Sequence, residues 1–204
     1  MDSFEYFIPV LKIQQNTPVF RIMNDNQSSL VASTSFIPND TVIDIFHTGE
    51  NEADFEGLGE LHPMPYPLIN DDIKKTIIEF IKDYVFLNGH NFMQFLDAEL
   101  RIEDKTTKYN LLHVTKLISC VDLSNSVFET LSDGDIFAID KLELDLDKLL
   151  PLPYYERAIF RLEELPTIHL FEKKIANLIS YLNIENFTFI PARNWNSDIE
   201  FTVS

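Results

Sequence analysis

Basic residues are scarce in this chain: 16 Lys and Arg stand against 33 Asp and Glu over 204 residues, a formal charge of −17. With no basic stretch to neutralise a phosphate backbone, DNA and RNA are poor ligands, although proteins that bind them remain good partners. Cysteine is nearly absent. The one thiol, Cys120, excludes an intramolecular disulfide and a cysteine-based zinc cluster, and it fits a reducing compartment. The five glycines form neither the dinucleotide fingerprint nor the P-loop pattern, which argues against nucleotide binding through those folds. No window approaches the roughly 20 apolar residues of a membrane span. Met1-Asp2-Ser3-Phe4-Glu5 lacks the basic n-region of a signal peptide. The expectation is a soluble cytoplasmic protein. What the chain does have is apolar material, 45% hydrophobic residues and 17 Phe, too much for a disordered acidic polymer. It should fold as one domain or two intimately packed halves.

The pattern along the chain predicts an α+β fold with mixed or antiparallel sheets and two main helices. Residues 1–67 read as β-rich, with strand candidates at Phe4–Ile13, Val19–Met23, Leu30–Phe36 and Thr41–Phe46, and a long loop over His47–Pro67. Asn70 caps a helix over about 70–86, whose apolar residues Ile73, Ile77, Phe80, Ile81 and Tyr84 recur every three or four positions. A hairpin follows, Phe92–Ile102 against Tyr109–Val121. Further short strands fall at Ile136–Asp140, Leu142–Leu146, Ala158–Leu162 and Phe187–Ile190, and a second helix spans about 168–182 with Leu170, Ile175, Leu178, Ile179 and Leu182 as its apolar stripe. Both helices run through an Asn-containing turn into a Phe-led strand. That is either a duplicated helix–strand unit or a common local solution.

No catalytic constellation emerges. The five histidines are dispersed without metal-ligand spacing. His113 lies in an apolar strand and reads as a packed side chain, and Cys120 reads as a buried, inert thiol. The carboxylates of "DGDIFAIDKLELDLD" lack the geometry of a calcium loop. The expectation is therefore a protein with no catalytic residues, no metal and no cofactor.

The acidic residues cluster in two tracts. Between Arg21 and Lys74 there is no Lys or Arg, while Asp25, Asp40, Asp44, Glu50, Glu52, Asp54, Glu56, Glu60, Asp71 and Asp72 all fall there. The second tract comprises Asp122, Glu129, Asp133, Asp135, Asp140, Glu143, Asp145 and Asp147, relieved only by Lys141. Such tracts are either solvated surface or a field that attracts a basic partner.

Residues 68–192 resemble a known family. The segments "NFMQFLDAEL", "YNLLHVTKLISCVDLSNS", "AIDKLELDLDKL", "AIFRLEELPT" and "NFTFIPA", with "CVDLSNS" and "IFRLEELP" the most specific, are similar to bacterial immunity proteins of polymorphic toxin systems. Asn183-Ile184-Glu185 stands where that family tends to place a glycine, and the first sixty residues match none of its segments. The resemblance implies a division into a β-rich region, 1–67, packed on an immunity-like α+β domain, 68–204. It also implies a stoichiometric inhibitor of a cognate toxin, and the concentrated acidity suits a basic one such as a nuclease. The candidate toxin contacts are Asp44, Phe46, Glu50, Glu52, Asp54, Phe55, Glu56 and Glu60. The alternative is a non-enzymatic adaptor of a mobile element or secretion cluster, docking through sheet edges.

Overall fold

A computed structural model describes residues 5–11, 20–47, 61–62, 66–88, 92–102, 104–182 and 187–197. In chain order its elements are β1 (Tyr6–Leu11), β2 (Phe20–Ile22), α1 (Asp25–Ala32), β3 (Ile43–His47), β4 (Leu61–His62), β5 (Leu68–Ile69), α2 (Asp71–Asn88), β6 (Met93–Ile102), β7 (Lys105–Val114) and β8 (Leu117–Ile118). There follow β9 (Val127–Thr130), β10 (Ile136–Lys141), α3 (Leu146–Leu149), α4 (Tyr154–Arg157), β11 (Ile159–Leu162), β12 (His169–Glu172), α5 (Lys173–Ser180) and β13 (Phe187–Pro191). The fold is α+β with mixed sheets, as the sequence pattern predicts.

The strands form a large sheet, β2-β3-β6-β7-β5-β4, a second sheet, β13-β1-β12-β11-β8, and a separate ribbon, β9-β10. Among the described residues, only β3 with β6 and β8 with β11 pair in parallel. The long β6–β7 hairpin runs in unbroken register from Met93↔Val114 to Ile102↔Lys105 and forms the spine of the large sheet. Residues from both ends of the chain share the second sheet, because β1 lies between β12 and β13. Pro9 is tolerated inside β1 because pairing with β12 is confined to Tyr6 and Phe7, so no ladder bond to β12 is required of it.

Three hydrophobic clusters hold these layers. One lies under the large sheet and joins Phe20, Val31, Ile37 and Ile43 to Leu96, Leu100 and Leu111. A second fills the space between the sheets, where Ile73 and Ile77 of α2 and Ile175, Ala176 and Ile179 of α5 meet Leu112, Val114, Ile159 and Phe171. The third lies beyond the second sheet, where Tyr6, Ile8, Phe160, Leu162 and Leu170 meet Ile139, Leu142, Leu149 and Trp195. Each such aliphatic or aromatic side chain removed from water contributes about 1.5–3 kcal/mol before entropy is counted.

The apolar spacing of the first helix places Ile73 and Ile77 in the core and Phe80 and Ile81 at its margin. Its N-terminus is capped as expected, with the Ile73 amide donating to the Asn70 side-chain oxygen at 2.9 Å. Four other expectations need correction. Leu30–Phe36 is not a strand: α1 occupies Asp25–Ala32, because the Asn24 side chain accepts from the Asn26 and Gln27 amides and starts a helix whose only buried residue is Val31. Leu142–Leu146 is not a strand either. Leu144 makes one isolated bridge to Val121, and Asp145 then caps α3 through the Asp147 amide. The strand expected over Tyr109–Val121 breaks after Val114, so Cys120 lies in a buried connection.

The second helix begins at Lys173, not at residue 168. His169–Glu172 form β12, and all four residues are buried because the strand is flanked by β1 and β11 and covered on both faces. Leu170 thus belongs to a strand, while Leu178 and Leu182 of the expected stripe face solvent. Glu172 makes the junction, accepting from the Lys174 amide at 2.8 Å as the helix N-cap and from the Tyr154 hydroxyl at 2.7 Å.

The two helices occupy equivalent positions. β5 and β6 each pair antiparallel with β7, so they run parallel to one another across it, joined by α2. β12 and β13 each pair antiparallel with β1, and α5 joins them in the same way. The echo between "NFMQFLDA" and "NFTFIPA" therefore corresponds to two strand–helix–strand units, each with a foreign strand inserted, whose helices pack against each other between the sheets.

Candidate docking site on the open half of the large sheet

The β6 sequence Met93-Gln-Phe-Leu-Asp-Ala-Glu-Leu-Arg-Ile102 alternates between two faces. Leu96, Ala98, Leu100 and Ile102 face the cluster beneath the large sheet. On the opposite face Met93 and Phe95 pack under α2, but the same row continues as Asp97, Glu99 and Arg101, which nothing covers to the same extent. On β7 the row runs from buried Val114 and Leu112 through Asn110 to exposed Lys108 and Thr106. Half of one sheet face is thus core and half is an open, charged surface. β3 extends that surface, because parallel pairing sets Asp44 beside Glu99 and Phe46 beside Arg101.

Arg101 organises this corner. Its guanidinium donates to Asp44 Oδ1 at 2.7 Å and to Glu99 Oε2 at 3.2 Å, and it lies 5.7 Å from the centre of the Phe46 ring. Where α2 meets the open sheet there is a cavity of about 540 Å³, lined in part by Asp71, Asp72, Lys74, Asp97, Glu99 and Lys108. Buried Asn110 ties its walls together. Its amide donates to Asp71 Oδ1 at 2.9 Å, and its carbonyl oxygen accepts from Lys74 Nζ at 2.7 Å. With Asp44 and Arg101 included, five carboxylates (Asp44, Asp71, Asp72, Asp97, Glu99) meet five cations: Lys74, Arg101 and Lys108, together with Arg21, which pairing with β3 sets beside Phe46, and Lys75, which pairs with Asp72 at 3.3 Å, so the surface is densely charged with both signs.

Of the residues expected to contact a toxin, Asp44 and Phe46 lie together on this face. Glu50, Glu52, Asp54, Phe55, Glu56 and Glu60 lie outside the described residues. His47 and Leu61, the described residues on either side of that stretch, stand on strands separated by β6, β7 and β5. Sequence reasoning missed Asp97, Glu99, Arg101 and Lys108, although the switch from apolar to charged at alternate positions of β6 was available to find them.

The buried ionisable groups have structural environments. Burial, with the nearby charge of Glu164, pushes the Cys120 thiol upward, so it stays protonated. Burial also lowers His113, whose Nε2 donates to the Ser35 carbonyl at 2.9 Å, and it lowers His169 to about 3, with the Arg161 charge acting in the same direction on both. Arg161 is itself buried and donates to the Ala32 and Ser33 carbonyls at 3.2 Å each, which fastens the second sheet to the end of α1. Among the described residues no group of three His, Cys, Asp or Glu is placed to hold a metal ion, and no helix is long and apolar enough to cross a membrane. No protein-family model matches the chain, and no curated protein matches it.

Proposed function

We propose that this chain is an immunity protein, a stoichiometric inhibitor that binds and neutralises a basic antibacterial toxin such as a nuclease, and that it acts in the cytoplasm without catalysis of its own. The observation that carries the reading is the half-open large sheet, whose uncovered face sets Phe46 among exposed charged side chains, on a chain whose formal charge is −17. The net negative charge of the whole chain speeds capture of a basic partner, while an aromatic side chain such as Phe46 supplies an anchor. The resemblance of residues 68–192 to the immunity family supports the same reading. So does the burial of Cys120, His113 and His169, which leaves these groups out of solvent reach.

The test is co-purification and toxicity rescue with the product of the adjacent gene. Rescue by this chain, with a one-to-one complex, is the expected result, and failure of both assays overturns the reading. Binding to several unrelated proteins would favour the adaptor instead. Neutralising Glu50, Glu52, Asp54 and Glu56 together should slow association roughly 3–10-fold at low salt and flatten its salt dependence. An unchanged association rate would remove that stretch from the contact surface.

A further inference from the structure

The second acidic tract folds into a surface of a different kind. The β9–β10 ribbon has Phe128, Ile136 and Ile139 on its underside, packed into or against the third core cluster. Trp195 backs that cluster. Ser197 latches β10 from the side, accepting from the Ile139 amide with its hydroxyl oxygen and donating its own amide to the Ile139 carbonyl, both at 2.9 Å. At the tip Gly134 adopts a φ of +95°, a conformation that a side chain would strain, and its amide closes the turn onto the Leu131 carbonyl. The ribbon is therefore a fixed platform.

The ribbon and the turn that precedes it expose large apolar side chains among the charged ones. Leu123 is 55% exposed, Val127 53%, Leu131 52% and Phe137 48%. The pairing explains how two of the outward residues arise. Ile136 and Ala138 oppose Thr130 and Glu129, and Ile139 and Lys141 oppose Phe128 and Val127, so Phe137 and Asp140 are each an extra residue on β10. Two bulges in one short strand turn these side chains out of the ladder. Around the apolar residues stand Glu129, Asp133, Asp135 and Asp140, and none of the four has an ion-pair partner among the described residues. The ribbon's one cation, Lys141, is taken up by Glu143 at 3.1 Å and the Asn125 carbonyl at 3.3 Å.

We infer that the ribbon is a second docking surface, and that its occupant is the basic partner protein, seating an apolar pocket on Phe137, Val127 and Leu131 with its Lys and Arg side chains around the rim. Charge complementarity selects this occupant. A second copy of the chain would bring four uncompensated carboxylates against four more, and a nucleic acid or anionic membrane would be repelled in the same way. Exposed apolar residues at the centre with unpaired charge at the rim is the composition of a protein–protein contact. The inference rests on the toxin-binding reading.

The experiment measures binding of the full-length chain to the product of the adjacent gene by surface plasmon resonance, for the wild type, for Val127→Ser with Phe137→Ser, and for Glu129→Gln, Asp133→Asn, Asp135→Asn and Asp140→Asn combined. The expected results are at least a tenfold faster dissociation for the first variant, and for the second a severalfold slower association at low salt that vanishes at high salt. Thermal unfolding should stay within a few degrees of the wild type in both, since every substituted side chain is exposed. If the wild type binds and both variants bind as it does, the ribbon inference falls and the toxin-binding reading stands. If the wild type does not bind, both fall.

Discussion

The two acidic regions handle their charge in opposite ways. On the open half of the large sheet, Asp44 and Glu99 share Arg101, and Asp71 is linked through Asn110 to Lys74. On the ribbon Glu129, Asp133, Asp135 and Asp140 have no cationic partner among the described residues, and the apolar side chains among them face water. The first arrangement is partly satisfied within the chain, so a partner must compete for it. The second has no ion pair among the described residues, so a partner with the opposite charge meets no cationic rival there. A net charge of −17 therefore overstates what one surface offers and understates the other.

The comparison can be broken from beneath. Trp195 is 2% exposed and packs with Tyr6, Phe160 and Ile139 below the ribbon, far from the cluster under the large sheet. Trp195→Ala should cost about 3–5 kcal/mol in urea unfolding. Hydrogen exchange should rise in β9 and β10 while the β6–β7 hairpin keeps its protection. Equal loss of protection in both would show that the two regions stand or fall together.

A second test separates surface from interior by pH. His169 is held neutral when folded, with its pKa lowered from 6.5 to about 3, and His113 is lowered as well. In each case the unfolded chain takes up a proton more readily than the folded one, so stability is complete above pH 6.5 and falls as pH drops below it. Between pH 7 and pH 5 His169 alone should remove about 2 kcal/mol. Urea midpoints across that range check this, and His169→Gln should flatten the slope. Partner binding that fades in step with the midpoints reports the interior, whereas binding lost from a still-folded protein reports the acidic surfaces.

The smallest effect sharpens the contrast most directly. Arg101→Ala should shift stability by no more than about 0.2–1 kcal/mol, because its ion pairs are exposed. It should nevertheless leave Asp44 and Glu99 as free as the ribbon carboxylates and raise the association rate with a basic partner at low salt. A slower rate would mean that Arg101 itself touches the partner.

The sequence made α2 and β6 readable because their apolar periods, near 3.6 and 2, run over ten or more residues, whereas β7, expected over Tyr109–Val121, spans Lys105–Val114 and is buried without alternation from Asn110 on. α1 was not readable: it buries only Val31, so it has no apolar stripe, and its one signal is the Asn24 cap. β12 hid for the opposite reason. It is buried on both faces and joins α5 at Glu172 with no turn between them, so His169–Glu172 carries no alternation and no boundary. The acidic tracts were visible as composition, but whether a carboxylate is paired depends on residues far away in the chain. Asp44 and Arg101 are 57 positions apart. The ribbon's outward Phe137 is likewise set by a bulge, which a pattern of period 2 cannot register.

The position of β1 bears on how the protein is made. This strand is synthesised well ahead of both of its neighbours, β12 and β13, which come from residues 169–191. At about 5–20 residues per second, roughly 10–35 s separate the synthesis of Leu11 from that of Phe187. Throughout that interval Tyr6, Ile8 and Val10 have neither β12 nor β13 to join, so the nascent chain carries an unpaired hydrophobic strand. The second sheet, unlike the β6–β7 hairpin, can close only once residues 187–191 have been made, which makes its closure the slow, non-local step of folding.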